Sequence, residues 1–410
     1  MNSETKPRIE LSKTDIMVDE EFRIRITNLT QGETIKLSAE TKDDDGVIWN
    51  SNIELKTDEN ASVELEGIDP EGLFTRMRPR QPSNKRYIPI FEKRNIEPLS
   101  FTISFESNSG SRVAKLKRRF LPKNDFARVS VNEGKLIGTL FYPEADGPHP
   151  VIIFISGSAG KFNEPRAALL ASKGFAVFSV AYFGIDPLPE ELIEVPLEFF
   201  DLAVTYLKKQ PMINTDRLGI FGFSKGGELA LLFASREPII KAVIAYAPSS
   251  YVWQGLSKKG ELKSSWSYNA KPLPFVPMYV TPKMFSELTS GKPIAFREAY
   301  ERGLYKYPKD AEAACILVEK IKAPVLITSG GDDAIWPADQ FAKDIEERIG
   351  RAGGNVIHFN DKFAGHLTTQ AFLPAAQTME NLLFGGEADI SASVLAKAWP
   401  ETILLFKGNL

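Results

Sequence analysis

The sequence predicts an α/β domain with a mostly parallel sheet, preceded by an all-β sandwich domain. Residues 1–125 repeat short segments in which apolar and polar residues alternate, which is typical of half-buried strands. From residue 126 onwards, continuous apolar runs instead alternate with helical segments. The chain has 410 residues, which is long for one ordinary domain. We therefore expect two domains, 1–125 and 126–410.

The first region is predicted to be a β-sandwich. Phe22, Ile24 and Ile26 alternate with polar residues, so their side chains would share one face of a strand. The same pattern recurs at Ile35–Leu37, Ile53–Leu55, Val63–Leu65, Phe101–Phe105 and Val113–Leu116. Turn residues separate these segments and no long helical pattern lies between them, which favours a sandwich.

The second region is predicted to be a parallel sheet with helices on both faces. Val151–Ile155 and Ala176–Val180 are almost continuously apolar, as in strands that are covered on both sides. Helical segments are expected at Glu164–Ser172 and Pro196–Lys208. A stretch rich in aromatic residues and proline, about 250–310, interrupts this alternation, and we interpret it as a cap inserted above the sheet edge.

Gly222-Phe223-Ser224-Lys225-Gly226 is a G-x-S-x-G motif between a strand-like segment and a helix-like one. Glycines on both sides allow a sharp turn that presents the serine oxygen above the sheet. The motif alone is not specific. In this context, with an aspartate and a histidine following in order, it predicts the α/β-hydrolase fold and a serine nucleophile at Ser224.

A serine nucleophile needs a base, and the chain has only three histidines. His149 lies between two prolines, and His358 lies within a predicted strand. His366 follows a glycine in a loop beyond that strand, and loops at such a sheet edge often carry catalytic groups. We therefore expect His366 to be the base.

Two adjacent aspartates, Asp332 and Asp333, follow the predicted strand Pro324–Thr328. A carboxylate is needed to hold the histidine tautomer and to stabilise the imidazolium. Asp333 stands four residues before Pro337, as in the usual Asp-x-x-apolar-Pro pattern, and is expected to be the acid. Asp332 is then expected to cap or turn the chain.

A tetrahedral intermediate needs at least two N–H donors for its oxyanion. One is expected to be the backbone N–H of Lys225, the residue after the nucleophile. The other is expected from the small-residue loop Ser156–Gly160, where Ser158 and Ala159 are both candidates. That loop lacks the Gly-Lys-Ser/Thr ending of a phosphate-binding loop. The side chains of Lys225 and Glu228 are expected to be solvated or salt-bridged.

Composition excludes several functional classes. The net charge of −3 gives no reason to expect nucleic acid or an anionic membrane as a partner. A single cysteine, Cys315, forms no internal disulfide. No apolar stretch reaches the length of about 18 residues of a membrane span, and the first residues lack a secretion signal, so a cytoplasmic location is expected. No cofactor and no metal site are predicted, and a monomer is compatible with the sequence, which does not specify an oligomeric state.

Several stretches resemble the acyl-CoA thioesterase and bile acid-CoA:amino acid N-acyltransferase family over almost the whole length. They are Asn163–Val177, Ala181–Gly184, Gly222–Glu228, Trp253–Gly255 and Asp332-Asp333 with Trp336. The resemblance implies an acyl-CoA substrate, and it implies the same triad, Ser224, Asp333 and His366.

Within this family resemblance, hydrolysis of acyl-CoA is the leading hypothesis. Acyl transfer to an amine such as glycine or taurine is the alternative, since the resemblance includes amine-conjugating members with a cysteine nucleophile. The ester formed on Ser224 is instead well suited to attack by water. A carboxylesterase or peptidase with the same triad is a third hypothesis. A non-catalytic binding protein is disfavoured because all three triad positions are filled.

Overall fold

The computed structural model describes residues 6–80, 87–144, 147–379 and 381–410. Up to residue 120, the described part of the chain contains the strands β1 (Arg8–Leu11), β2 (Asp15–Met17), β3 (Phe22–Thr27), β4 (Thr34–Lys42), β5 (Ile48–Lys56), β6 (Val63–Gly67), β7 (Arg78–Pro79), β8 (Leu99–Ser107) and β9 (Gly110–Arg119). They form a three-stranded sheet in the order β1-β3-β6 and a six-stranded sheet in the order β2-β9-β8-β4-β5-β7.

The apolar faces of these two sheets enclose one core. Phe22, Ile24 and Ile26 of β3 are buried while the residues between them are exposed, as the alternating pattern predicts. Phe74 lies between the sheets, with ring centroids 6.0 Å from Phe22 and 4.8 Å from Phe101 of β8. The first region is therefore a β-sandwich.

The region from residue 126 combines strands and helices. Its strands are β10 (Phe126–Glu133), β11 (Leu136–Pro143), β12 (His149–Ile155), β13 (Ala176–Ala181), β14 (Val195–Pro196), β15 (Ile213–Phe223), β16 (Ile240–Tyr246), β17 (Trp266–Tyr268), β18 (Lys271–Pro272), β19 (Val325–Gly330), β20 (Val356–Asp361), β21 (Thr378–Met379) and β22 (Leu382–Leu383). Its helices are α1 (Glu164–Ala171), α2 (Glu198–Lys208), α3 (Lys225–Ala234), α4 (Pro282–Thr289), α5 (Arg297–Lys306), α6 (Pro308–Ala314), α7 (Ala338–Arg351) and α8 (Ala388–Asn409).

Eight of these strands form a central sheet in the order β10-β11-β13-β12-β15-β16-β19-β20. The pairs β10–β11 and β11–β13 are antiparallel, and all later neighbours are parallel. Parallel strands joined by helices that cover both faces, with a sharp strand-to-helix turn after β15, define the α/β-hydrolase fold.

Side chains of β12 alternate between the two faces of this sheet. Val151, Ile153 and Ile155 belong to an apolar cluster that includes α2, α3 and α7. Ile152 and Phe154 belong to a second cluster, which includes α1 and α8. Both faces of the strand are therefore covered, as its continuous apolar sequence predicts.

The β-sandwich packs on the face of the sheet that α1 and α8 cover, because its core residues belong to the same cluster as these helices. Asp19 accepts hydrogen bonds from Lys173 Nζ at 2.7 Å and from Trp399 Nε1 at 2.8 Å. Arg118, which is fully buried, donates from Nη1 to the Phe372 carbonyl at 3.2 Å. The two regions thus share one apolar core.

The segment between β16 and β19 contains β17, β18 and helices α4 to α6. It contacts the loop after β19, because the backbone N–H of Phe296 donates to the Ala334 carbonyl at 2.8 Å. This segment includes the stretch predicted to be a cap. Within the described ranges, no helix combines the length and the apolar character needed to cross a membrane.

Candidate active site

Ser224 lies at the turn between β15 and α3 with φ of 55° and ψ of −125°, a conformation that side-chain-bearing residues rarely adopt. A Cβ on Gly222 would lie 2.0 Å from the Gly226 carbonyl oxygen. A Cβ on Gly226 would lie 2.2 Å from the Ser156 carbonyl oxygen. Only glycine fits at either position, so the G-x-S-x-G pattern is the geometric requirement of this turn.

Ser224, His366 and Asp333 form a continuous hydrogen-bonded chain. His366 Nε2 lies 2.9 Å from Ser224 Oγ, and His366 Nδ1 lies 2.6 Å from Asp333 Oδ2. The Asp333 carboxylate can only accept hydrogen bonds, so Nδ1 of His366 carries the proton in that hydrogen bond. Nε2 is then unprotonated and accepts the hydrogen bond from the Ser224 hydroxyl. All three residues are buried.

The structure brings Asp333 to the histidine and leaves Asp332 outside this chain. Asp333 Oδ1 accepts from the backbone N–H groups of Ile335 at 2.8 Å and Trp336 at 3.2 Å, which fixes the carboxylate while Oδ2 faces the imidazole. Asp332 is exposed, and its Oδ2 accepts from the backbone N–H of Gly386 at 3.0 Å. Asp333 is also the residue that stands four before Pro337.

The other two histidines lie outside the hydrogen-bonded chain of Ser224. His149 is buried at the start of β12. His358, on β20, contacts Ser329 Oγ through Nε2 at 2.8 Å and Glu346 Oε2 through Nδ1 at 3.1 Å. Burial lowers the pKa of His358, and the neighbouring Glu346 carboxylate opposes that shift.

Arg297 on α5 supports the loop that carries the acid. Its Nη1 donates to the carbonyls of Gly331 at 3.1 Å and Asp333 at 3.3 Å. Its Nη2 pairs with Asp339 at 2.9 Å. Nothing in the sequence distinguishes Arg297, because an arginine near the start of a polar helix has the pattern of a solvated residue.

The two segments that carry the predicted oxyanion donors border Ser224. The Lys225 N–H is the first of α3, and the first N–H groups of a helix have no acceptor within the helix. On the other side, a Cβ on Gly157 would lie 3.2 Å from Ser224 Cβ. Gly157 therefore lies against the serine, and half-buried Ser158 and exposed Ala159 follow it in the turn.

The side chains of Lys225 and Glu228 form a buried ion pair, with Lys225 Nζ 2.7 Å from both carboxylate oxygens. Trp266 of β17 donates from Nε1 to Glu228 Oε1 at 2.7 Å. Burial lowers the pKa of Lys225 and raises the pKa of Glu228, and the attraction between the two charges opposes both shifts. Of the two options that the sequence left open, the structure shows the salt bridge, and Trp266 ties it to the segment between β16 and β19.

The described part of the chain contains no group of three or more His, Cys, Asp or Glu residues arranged to hold a metal ion. Cys315 is a free, half-buried thiol that accepts a hydrogen bond from Arg348 Nη1 at 2.9 Å. The groups described at this site are the serine, its imidazole neighbour and the N–H groups around them. A buried serine can attack a carbonyl carbon when it is hydrogen-bonded to an imidazole and a carboxylate orients that imidazole.

Comparison with known proteins gives consistent matches over most of the chain. Residues 195–410 match the family described as BAAT / Acyl-CoA thioester hydrolase C terminal, and residues 19–133 match the Acyl-CoA thioester hydrolase/BAAT N-terminal region. The chain is 28% identical over 414 residues to acyl-coenzyme A thioesterase 2, mitochondrial, of Mus musculus, covering 96% of this chain and 87% of that protein. It is 27% identical over 430 residues to acyl-coenzyme A amino acid N-acyltransferase 1 of Mus musculus, covering 97% and 96%. Among solved structures, a puromycin-hydrolyzing peptidase of Mycobacterium tuberculosis superposes with a TM-score of 0.45 at 13% identity, covering 99% of this chain and 68% of that one.

Proposed function

Because the chain belongs to the BAAT / acyl-CoA thioester hydrolase family, we propose that it is an acyl-CoA thioesterase that releases a free fatty acid and coenzyme A. The observation that carries this proposal is the hydrogen-bonded chain from Ser224 through His366 to Asp333. It supplies a nucleophile, a base and an orienting carboxylate in the geometry that acyl transfer requires.

In the first step, Ser224 Oγ attacks the thioester carbonyl carbon while His366 Nε2 takes the hydroxyl proton. Asp333 stabilises the imidazolium and keeps the proton on Nδ1. The tetrahedral intermediate then collapses, the carbon–sulfur bond breaks, and the coenzyme A thiol leaves with the proton from His366. An acyl ester remains on Ser224.

The oxyanion of that intermediate needs donors already in place. We assign one to the Lys225 N–H at the start of α3. We assign the other to the turn after β12, from Ser158 or Ala159. Preorganised donors of this kind stabilise the developing charge without reorganising during the reaction.

In the second step, water attacks the acyl ester while His366 takes its proton. The tetrahedral intermediate collapses, the proton returns to Ser224 Oγ, and the free acid leaves. No cofactor takes part in either step. The cytoplasmic location stays a prediction, since one relative is named as mitochondrial.

An amino acid N-acyltransferase is the second candidate, because one relative with that name matches 97% of the chain. In that reaction an amine would replace water in the second step. The serine nucleophile favours water, since an acyl ester is attacked by amines less readily than a thioester is.

Product analysis tests these assignments. Purified protein and Ser224→Ala would be incubated with acyl-CoAs of graded chain length, with and without glycine or taurine. Thiol release would be followed, and products identified by mass spectrometry. We expect free acid and coenzyme A from the wild type and almost none from Ser224→Ala. A conjugate as the main product would identify a transferase, and turnover of simple esters without thiol release would identify a carboxylesterase.

A further inference from the structure

The turn after β12 is oriented by a buried hydroxyl from the neighbouring strand. Tyr182, directly after β13, donates from Oη to the carbonyls of Gly157 and Ser156, the latter at 3.0 Å. The Gly157 carbonyl also accepts from the Gly160 N–H at 3.0 Å. The plane of the peptide that joins Gly157 to Ser158 is thereby held from its carbonyl side.

In a trans peptide the N–H points opposite to the carbonyl. The N–H of Ser158 belongs to the same peptide as the Gly157 carbonyl, so it points away from Tyr182. Gly157 itself borders Ser224, where an added Cβ would lie 3.2 Å from the serine Cβ. The hydroxyl of Tyr182 thus sets the direction of an N–H beside the nucleophile.

Tyr182 is itself fixed in place. The side chain is fully buried, and its ring lies against Phe183 at 5.2 Å and Trp266 at 5.8 Å between centroids. Its backbone N–H donates to the Gly160 carbonyl at 2.9 Å. Burial, with the nearby charge of Glu228, holds the pKa of Tyr182 well above its ordinary value, so the hydroxyl remains a proton donor.

We propose that Tyr182 is a positioning residue, which aligns the Ser158 N–H as the second oxyanion donor. This choice resolves the two candidates in the turn in favour of Ser158, and it rests on the proposed acyl-transfer function. The same buried region also borders Lys225, whose backbone N–H is the other proposed oxyanion donor. Trp266, which packs on Tyr182, also binds Glu228, the partner of Lys225.

The test compares Tyr182→Phe with Tyr246→Phe. Tyr246 is a matched control, because it is also buried and its hydroxyl is also hydrogen-bonded, to Thr402 Oγ1 at 2.9 Å on α8, outside this turn. We expect Tyr182→Phe to lower kcat about tenfold or more while KM stays within about twofold, since losing an oxyanion donor outright costs about 10²–10³. Tyr246→Phe should stay within about twofold of wild type in kcat.

A fluorophosphonate makes the readout independent of the natural acyl group. Ser224 Oγ bonds to phosphorus while His366 Nε2 takes the hydroxyl proton, the phosphorus–fluorine bond breaks, fluoride leaves, and the phosphonyl oxygen occupies the oxyanion position. The inactivation rate of Tyr182→Phe should fall by a factor similar to that of kcat, with an unchanged pH profile. If the wild type did not turn over acyl-CoA, the substrate assignment would be rejected. The inactivation rates of wild type and Tyr182→Phe could still be compared.

Equal rates for Tyr182→Phe and wild type, or equal losses in both tyrosine variants, would overturn the role of Tyr182. If Tyr182→Phe does not fold, a crystal structure of the phosphonylated wild type tests the proposal instead. The proposal requires the Ser158 N–H within hydrogen-bond distance of the phosphonyl oxygen while Tyr182 Oη remains on the Gly157 carbonyl. A phosphonyl oxygen bound by Ala159 instead would reject the proposal.

Discussion

Lys225 and Glu228, one turn apart at the start of α3, form an ion pair whose side chains are 5% and 0% exposed. The pair lies directly after Ser224 and under Trp266, whose indole N–H supplies a further hydrogen bond to the carboxylate. Two charges removed from water are costly unless they remain paired and hydrogen-bonded. The first turn of α3, which carries a proposed oxyanion donor, is therefore sensitive to the loss of either charge.

Glu228→Gln should destabilise the protein by about 3–5 kcal/mol, because it leaves the Lys225 ammonium buried without its carboxylate. The measurement is the free energy of unfolding from a urea titration. Glu287→Gln is the control, since its pair with Lys283 is exposed and its atoms are 3.9 Å apart; no measurable change is expected there. A loss at Glu228 no larger than at Glu287 would show that the buried pair does not stabilise the fold.

Asp333→Asn should lower kcat by about 10⁴, because an amide does not stabilise the imidazolium and favours the wrong histidine tautomer. Asp332→Asn, the neighbouring control, should leave kcat nearly unchanged, since its carboxylate only accepts a hydrogen bond from a backbone N–H. Steady-state kinetics with an acyl-CoA substrate measures both. If Asp332→Asn proved the more damaging change, the acid would be the other aspartate.

His366→Ala should abolish turnover nearly as completely as Ser224→Ala, because it removes the imidazole that lies 2.9 Å from the serine hydroxyl and is placed to take its proton. His149→Ala should retain activity, since this residue lies at the start of β12 outside the hydrogen-bonded chain. Circular dichroism would establish that both variants are folded before their rates are compared. Full activity in His366→Ala would contradict the assignment of the base.

Ser224→Cys should slow net hydrolysis and increase the share of acyl-amino acid when glycine or taurine is added. The acyl-enzyme becomes a thioester, whose carbonyl is less stabilised by resonance and is attacked preferentially by amines. Mass spectrometry of the products at matched amine concentrations compares the variant with wild type, which should give almost only free acid. Identical product ratios in the two proteins would show that the nucleophile does not select the acceptor.

His358 should make stability fall as the pH decreases below about 6.5. Its pKa in the folded protein is lowered, mainly by burial, so the unfolded chain binds the proton more readily. The stabilising contribution is therefore present above the unfolded pKa and is lost as the pH falls through the folded pKa. Glu346 and Lys343 act on the same ring in opposite senses. Thermal unfolding between pH 5 and pH 8 should show a flatter dependence in His358→Gln, and an unchanged slope would exclude His358 as the cause.

Local sequence patterns were sufficient for the elements whose periodicity is strong. The alternation at Phe22, Ile24 and Ile26 predicts β3, and the apolar run Val151–Ile155 predicts β12, because side-chain periodicity follows directly from strand geometry. The glycines around Ser224 predict the sharp turn for a steric reason that one sequence can show. Counting from Pro337 selected the aspartate that the structure places against the imidazole.

Other features depend on contacts between segments that are distant in the sequence. Tyr182 and Arg297 act on backbone carbonyls of other loops, and nothing in their own neighbourhood indicates those partners. In the sequence, Trp266 is one of several aromatic residues in the segment between β16 and β19. Its hydrogen bond to Glu228 is evident only in the structure. Helix α8 was not predicted, and it contains Pro400, which reads locally as a helix breaker.

The hydrogen bond between Asp19 and Trp399 joins residues 380 positions apart, and this separation has a consequence for synthesis. A ribosome adds about 5–20 residues per second, so α8 follows the last strand of the β-sandwich by roughly 15–60 s. During that interval the sandwich surface that later packs on α8 lacks its partner. Exposed apolar surface of this kind favours aggregation. We therefore expect the chain to depend on chaperones during its synthesis when it is expressed at a high level.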